Sequence, residues 1–286
     1  MNQQKVTKYV ALGDSLSEGL GDQGFASNRI HAGWPDRLAQ LLAAEANANG
    51  HDFSFANLAL RGSKTRSIMT SQLEAALRQK PDFITVMAGS NDIFATKAQR
   101  AEVERLFRHG LTRLSKAGIS VLVVSTVNPS HLAIARHLRP KAKRITQLIN
   151  RVCAELSLPV LDIYNLEELA DIRYWCDDMA HFSQHGHALI ANHAAQNLGL
   201  RFRQVTVSPA QMQRPDRGIT AIIKWLGREV APFLVRRVRG RSSGDGLKPK
   251  LPLLTPFSLL EADGGLARLE MAKMTKPRIL EQTPQS

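Results

Sequence analysis

The 286-residue chain has no apolar run long enough to cross a bilayer as a helix, and it has only two cysteines, Cys153 and Cys176. Two cysteines exclude a disulfide-rich scaffold and form no zinc-ligand pair, so we expect reduced thiols, with Cys153 in the core. The N-terminal residues lack the charged start and the apolar stretch of a signal peptide. These absences predict a cytoplasmic protein. The scattered histidines show no metal-ligand spacing, so no metal is expected, and no cofactor is expected either.

Charge is divided unevenly along the chain. Residues 1–198 carry 22 Lys and Arg against 18 Asp and Glu, whereas residues 199–286 carry 16 against 7, together with 8 of the 13 prolines. The sequence therefore predicts a near-neutral body over residues 1–198 and a basic, proline-containing C-terminal extension over residues 199–286.

The extension contains one amphipathic stretch, AIIKWLGREVAPFLVRRV at residues 221–238, which predicts a helix over about 219–238 interrupted at Pro232. Two interpretations are open: a helix docked on the body, which is favoured, or a peripheral contact with an anionic membrane surface. The residues after 241 predict an extended segment that wraps the body or a partner. Aromatic residues make up only 6% of the chain and no base-stacking motif is present, so no specific nucleic-acid partner is expected.

The body alternates between apolar segments and amphipathic ones. The pattern predicts strands at residues 5–12, 53–58, 81–88, 119–126 and 159–163, and helices at residues 36–48, 67–78, 98–116, 140–156 and 184–198. Such alternation is typical of an α/β protein in which a parallel sheet is covered on both faces. Ligands of these sheets lie beyond the carboxyl ends of the strands.

The first strand end reads Gly13-Asp14-Ser15-Leu16. A serine in a tight turn from strand to helix can present its hydroxyl above the sheet, where the helix N-terminus stabilises developing negative charge. The alternative interpretation is a helix cap, because Ser and Asp are favoured there. The G-x-S-x-G pattern of α/β-hydrolases does not apply, since residue 17 is a serine.

Three further segments carry candidate groups. In Gly89-Ser90-Asn91-Asp92 the amide of Asn91 can donate to an oxyanion or simply close a turn. Gly62 lets a backbone N–H approach a ligand, or is an ordinary loop glycine. In Asp178-Met179-Ala180-His181 the carboxylate can reach the imidazole and fix its tautomer, or the segment is a surface loop before a helix capped by Ser183. Asp177 is a weaker competing carboxylate, and His187 is expected to be structural.

Taken together and in this order, these blocks resemble those of the SGNH hydrolases, also called the GDSL esterase/lipase family, over about residues 5–198. The resemblance implies a flavodoxin-like, three-layer α/β/α sandwich with five parallel strands. It also implies Ser15 as nucleophile, His181 as general base and Asp178 as the group that orients it. The oxyanion hole would combine the backbone N–H groups of Ser15 and Gly62 with the side chain of Asn91. The basic extension makes the chain similar to cytosolic actinobacterial members.

The activity that this resemblance implies is a serine esterase that hydrolyses a small-molecule ester through an acyl-enzyme. The short loop at residues 21–33 favours a short acyl or acetyl group. Lysophospholipids and acyl-thioesters stay open as substrates, and so does a catalytically silent family member that acts as a binding module. Arg61, Lys64 and Arg66 surround Gly62; they either favour an anionic substrate or are merely solvated.

Overall fold

Five parallel strands form the centre of the molecule, as predicted. The computed structural model describes residues 6–22, 32–214, 227, 243–258 and 271–273. The strands are β1 (Lys8–Leu12), β2 (Ser54–Asn57), β3 (Phe83–Met87), β4 (Ser120–Val124) and β5 (Val160–Leu161), in the spatial order β5-β4-β3-β1-β2. All five residues of β3 are buried, because the sheet is covered on both faces.

Helices form the two outer layers, and alternate residues of each strand face opposite layers. In β1, Tyr9 and Ala11 pack with α2 (Trp34–Ala48) and α7 (Gln184–Asn197). Val10 and Leu12 pack on the other side with α3 (Thr65–Ser67), α4 (Leu73–Leu77), α5 (Lys97–Lys116) and α6 (Arg139–Glu155). A π-helical turn, Ile68–Gln72, joins α3 to α4. The three-layer α/β/α sandwich is therefore confirmed. No helix in the described ranges combines the length and the apolar character needed to cross a bilayer.

Element bounds differ from the prediction mainly where hydrogen-bonded turns interrupt a strand or helix. The fifth strand is shorter than residues 159–163, because only Val160 and Leu161 pair with β4 and Asp162 then caps a 3₁₀ turn. Helix α2 begins at Trp34, two residues earlier than expected, with Pro35 in its first turn. Cys153 is fully buried, and both cysteines are free thiols.

A sixth strand comes from the C-terminal extension. Strand β7 (Leu251–Pro256) pairs antiparallel with β2 at the sheet edge, and β6 (Phe202–Gln204) pairs with β8 (Met271–Lys273) in a separate two-stranded sheet. Two prolines, Pro252 and Pro256, weaken the strand signal of β7 in the sequence but are tolerated at an edge. The helix predicted over about 219–238 lies outside the described residues apart from Gly227. The boundary at residue 199 stays a prediction.

Lys250, the residue before β7, joins the extension to the interior of the body. Its Nζ lies 2.6 Å from Asp36 Oδ2 and donates to the carbonyl oxygen of Glu18, also at 2.6 Å. Burial raises the pKa of the Asp36 carboxyl, and the lysine charge opposes that rise. The extension therefore supplies the counter-charge for a buried carboxylate beneath the turn that follows β1.

Candidate active site

The turn after β1 places Ser15 at the carboxyl edge of the sheet. The chain leaves β1 at Leu12 and enters a short helix, α1 (Ser15–Glu18), through Gly13 and Asp14. A Cβ on Gly13 would lie 2.4 Å from Ser17 Oγ, so only glycine fits this turn. Gln72 clamps it, since its Oε1 accepts from Gly13 N and its Nε2 donates to Gly13 O, both at 2.9 Å. Ser15 is thus held as the first residue of α1.

Asp14, not Ser15, caps α1. Leu16 N donates to Asp14 Oδ1 at 3.1 Å, which accounts for the capping role that Ser and Asp shared in the sequence. The Asp14 side chain is almost fully buried, and burial raises its pKa to about 6, although the charge of the nearby His181 acts to lower it.

Asn91 follows β3 in a 3₁₀ turn, Ser90–Asp92, and faces the same turn. Its Nδ2 donates to Ser63 O at 3.0 Å and to Asp14 Oδ2 at 3.2 Å. Asp92 anchors the turn by accepting from the backbone N and the hydroxyl of Thr65, both at 2.8 Å. The structure therefore brings the ends of β1 and β3 together through the Asn91 side chain.

The three expected oxyanion donors differ in how they are engaged. Within the described part of the chain, neither Ser15 N–H nor Gly62 N–H donates to an acceptor, so both are available to a ligand. The Asn91 amide must exchange one of its two bonds, of which the bond to Asp14 is the longer, before it can donate to an oxyanion.

Asp178 and His181 form a direct pair in the loop before α7. Asp178 Oδ2 lies 2.5 Å from His181 Nδ1, while Asp178 Oδ1 accepts from the backbone N–H groups of Ala180 at 3.0 Å and His181 at 2.9 Å. The Cys176 thiol also donates to Asp178 Oδ1, at 2.7 Å. Burial acts to raise the pKa of this carboxyl, but the hydrogen bonds and the His181 charge hold it well below its ordinary range. The exposed Asp177 makes no bond to the imidazole in the described structure.

The segment that follows α1 packs directly against His181. Gly21 has a φ of +90°, and a Cβ on it would lie 2.4 Å from Phe182 O and 3.1 Å from His181 Cβ. Among the described residues no hydrogen bond joins Ser15 Oγ to His181. Bonds of this kind commonly form or tighten only in the substrate complex, so the pair remains a candidate nucleophile and base.

His187 is structural, as predicted. It is fully buried, its Nδ1 accepts from Trp34 N and its Nε2 donates to Leu20 O, both at 3.1 Å. Burial lowers its pKa to about 4, so the ring is neutral. It ties the segment before Gly21 to α2 and α7. In the ranges that the structure describes, no three His, Cys, Asp or Glu side chains are grouped to hold a metal ion.

The cationic residues around Gly62 are mostly neutralised by partners. Arg61 bonds the Glu18 carboxylate through its guanidinium at 2.5 Å and through its backbone N at 2.6 Å. Arg66 pairs with Glu102 at 3.0 Å. Only Lys64 is exposed without an acidic partner in the described part of the chain. Neither arginine is therefore merely solvated, because each pairs with a glutamate.

Two contributors escaped the sequence analysis. Gln72 holds Gly13 across 59 residues of chain, and no local pattern indicates that contact. Cys176 lies two residues before Asp178, a spacing visible in the sequence, but its thiol proton has an acceptor only because the loop folds back on itself.

Comparison with known proteins identifies the family of this fold. Residues 11–189 match the GDSL-like lipase/acylhydrolase family model. The fold is similar to that of Axe2, an acetylxylan esterase from Geobacillus stearothermophilus, with 16% identity and a TM-score of 0.56 over 69% of this chain and 97% of that one. It is also similar to LAE5, an alpha/beta hydrolase enzyme from the metagenome of Lake Arreo, Spain, with 18% identity and a TM-score of 0.55 over 68% and 95%. No curated protein matches the sequence.

Proposed function

The chain belongs to the GDSL-like lipase/acylhydrolase family, and on that premise we propose that Ser15, His181 and Asp178 form the catalytic triad of a serine esterase. As a member of the family it is a carboxylic ester hydrolase. The observation that carries the proposal is the 2.5 Å contact between Asp178 Oδ2 and His181 Nδ1, in a loop packed against the segment that leaves Ser15.

The first step is attack on the ester carbonyl. Ser15 Oγ forms a bond to the carbonyl carbon while His181 Nε2 takes the hydroxyl proton. The His181 Nδ1 proton stays in the hydrogen bond to Asp178, which fixes the tautomer with Nε2 free to act as base. Because its pKa is held so low, the Asp178 carboxylate stays ionised and stabilises the imidazolium that forms.

The tetrahedral intermediate places a negative charge on the former carbonyl oxygen. We assign its stabilisation to the N–H groups of Ser15 and Gly62 and to the Asn91 amide. Ser15 N–H lies at the start of α1, where unpaired backbone N–H groups favour a negative charge. Collapse of the intermediate transfers the proton from His181 to the leaving alcohol and forms an acyl-enzyme on Ser15.

Hydrolysis of the acyl-enzyme repeats the same chemistry with water. The water oxygen bonds to the acyl carbon while His181 takes a proton from the water. His181 then returns that proton to Ser15 Oγ as the acid leaves.

We propose a short acyl group, with acetyl first. The short loop at residues 21–33 supports this choice, although residues 23–31 lie outside the described part of the chain. The fold shared with an acetylxylan esterase supports it at the level of architecture. A cytoplasmic location remains a prediction from the sequence.

The test is hydrolysis of 4-nitrophenyl acetate, butyrate and octanoate by the wild type and by Ser15→Ala. We expect the variant to lose at least about a thousandfold in kcat/KM, because the nucleophile is gone. Ser17→Ala is the matched control, since the Ser17 hydroxyl is buried and bonds no described residue. That variant should keep wild-type turnover.

The chain-length profile then distinguishes acyl classes, because a short-acyl esterase loses turnover from acetate to octanoate. Equal rates for the wild type and Ser15→Ala at matched circular dichroism would contradict the triad. If the wild type also failed to react with a fluorophosphonate probe, the binding-module interpretation would replace the esterase.

A further inference from the structure

Acidic residues are missing from one long stretch of the body. Residues 105–154 contain ten Lys and Arg and no Asp or Glu. Four of the ten, Arg105, Arg108, Arg113 and Arg151, pair with glutamates that lie outside this stretch of sequence. The positive charge of this stretch is therefore neutralised at these four arginines but not along its whole length.

The unbalanced part is the basic cluster of Arg136, Arg139, Lys141, Lys143 and Arg144. All five side chains are exposed, and none forms an ion pair with a residue in the described ranges. Lys141 Nζ lies 5.0 Å from the centre of the Phe94 ring. The cluster occupies the 3₁₀ segment Ala133–Leu138 and the first turns of α6.

The basic cluster lies at the same edge of the sheet as the candidate triad. Helix α6 packs beside the Asn91 turn, because a Cβ on Gly89 would lie 2.6 Å from Ile145 Cγ2. In the loop before the cluster, His131 Nε2 lies 3.1 Å from the carbonyl oxygen of Met179, between Asp178 and His181. The loop and the helix that carry the cluster therefore contact both sides of the active site.

The cluster is electrostatically unfavourable in the free protein. The N-terminus of α6 carries the positive end of the helix dipole, yet its first turn holds Arg139 and Lys141, no acidic residue and no side-chain cap. Arg139 and Lys143 are four residues apart on one face, and like charges at that spacing repel. A bound anion would relieve both effects at once.

We infer that the ester substrate carries an anionic group, of the phosphate, sulfate or carboxylate type, which the basic cluster binds. This inference rests on the proposed esterase function. Because the proposed acyl group is short and binds at Ser15, while the basic cluster is exposed at the same edge of the sheet, we assign the charged group to the alcohol part of the ester. The inference assigns anion recognition to the basic cluster, whereas Arg61 and Arg66 already pair with glutamates.

The test compares two aryl acetates that differ in charge but little in size, 4-acetoxybenzenesulfonate and the neutral 4-acetoxybenzenesulfonamide. In the wild type we expect kcat/KM to be higher for the anionic ester than for the neutral one, mainly through a lower KM. The ratio of the two kcat/KM values should fall as the salt concentration is raised. The double variant Arg139→Gln/Lys143→Gln should reduce the ratio by about four- to twenty-fivefold, at about two- to fivefold for each exposed charge pair. Its rate on the neutral ester should be unchanged.

The matched control is Lys80→Gln/Lys116→Gln. Both lysines are exposed and precede β3 and β4, so they lie at the opposite edge of the sheet while removing the same net charge. This variant should keep the wild-type ratio. A wild-type ratio near one at low salt, or an equal loss of the ratio in both double variants, overturns the inference while leaving the esterase intact. Absence of Ser15-dependent hydrolysis of either ester overturns the proposed function, and the inference with it.

A further arm separates a soluble substrate from a lipid surface. Inorganic phosphate should inhibit hydrolysis of the anionic ester competitively in the wild type, and several-fold less in Arg139→Gln/Lys143→Gln. If the wild type instead sediments with phosphatidylglycerol vesicles through these two residues, and phosphate does not compete, the cluster is a membrane contact and the inference is wrong.

Discussion

Two buried groups on either side of the nucleophile turn should make opposite contributions to the dependence of stability on pH. Burial lowers the pKa of His187 from its ordinary 6.5 to about 4 and raises that of Asp14 from 3.8 to about 6. Each difference corresponds to about 3 kcal/mol, at about 1.4 kcal/mol per pKa unit. Two variants separate the contributions of these groups: His187→Gln removes the titration of the imidazole, and Asp14→Asn removes the titration of the carboxyl.

The signs follow from which state binds the proton. Between about pH 4 and 6.5 the unfolded chain protonates His187 while the folded protein does not, so the His187 contribution to stability is complete above pH 6.5 and is lost as the pH falls. Between about pH 3.8 and 6 the folded protein holds a proton on Asp14 that the unfolded chain has released. The Asp14 contribution is therefore present at low pH and lost as the pH rises.

In the wild type the two contributions nearly cancel over this window, and only the variants reveal them. The assay is urea unfolding at several pH values from 4.5 to 7.5, with the free energy of unfolding compared between each variant and the wild type. The wild-type advantage over His187→Gln should grow by about 2–3 kcal/mol as the pH rises through this range. The wild-type advantage over Asp14→Asn in the free energy of unfolding should shrink by a similar amount as the pH rises through the same range.

The hydrogen bonds lost in each variant lower its free energy of unfolding by an amount that does not depend on pH. Only the change with pH of the difference between wild type and variant therefore tests the reasoning. A difference between wild type and His187→Gln that stays constant from pH 4.5 to 7.5 would refute the assignment of His187 as a buried neutral ring. It would also remove the physical basis for its role in holding Leu20 and, through Gly21, the position of His181.

Three further predictions concern the frame around the triad. Gly21→Ala should reduce kcat at least tenfold, because its Cβ would collide with Phe182 O beside His181. The control is Gly50→Ala, since Gly50 has a similar φ of +72° and nothing lies within 4 Å of its Cβ position. This control should cost only about 1–2 kcal/mol of stability and no activity. Cys176→Ala removes a donor from the Asp178 carboxylate and should reduce kcat/KM by about tenfold, with substantial rescue in Cys176→Ser; equal losses in the two variants would contradict a hydrogen-bonding role. Lys250→Met leaves Asp36 buried without its cation and should lower the free energy of unfolding by about 3–5 kcal/mol, while Lys248→Met, which changes an exposed lysine, should be neutral in the same urea assay.

Much of the site was predictable because its residues stand at the ends of strands. Ser15 and Asn91 each follow an apolar strand within three or four residues, and parallel strands end at one edge, so the strand pattern alone brings them together. Asp178 and His181 are three residues apart, so their contact requires only a tight loop. Local spacing and strand polarity are properties that one sequence carries without knowledge of its partners.

Other features depended on contacts between distant segments. Strand β7 was not predicted, because its prolines are acceptable only at an edge and nothing local indicates that the edge of β2 is free. The sequence left open whether Arg61 and Arg66 favour an anionic substrate or are solvated, and it gave no sign of their partners, because Glu18 and Glu102 reach them from other elements. A contact of the same kind, with Glu155, neutralises Arg108. Arg139, in contrast, has no acidic partner in the described structure.

The sequence by itself determined the layer architecture, since periodicity encodes it, and the order of its short blocks carried the resemblance that implies the candidate nucleophile, base and carboxylate. Tertiary structure alone decided which charges have partners. Lys250 reaches Asp36 across 214 residues, while the basic cluster on α6 has no carboxylate within reach in the described ranges. The physical reason is that an ion pair depends on distance and burial in space, and neither can be read from the order of residues along the chain.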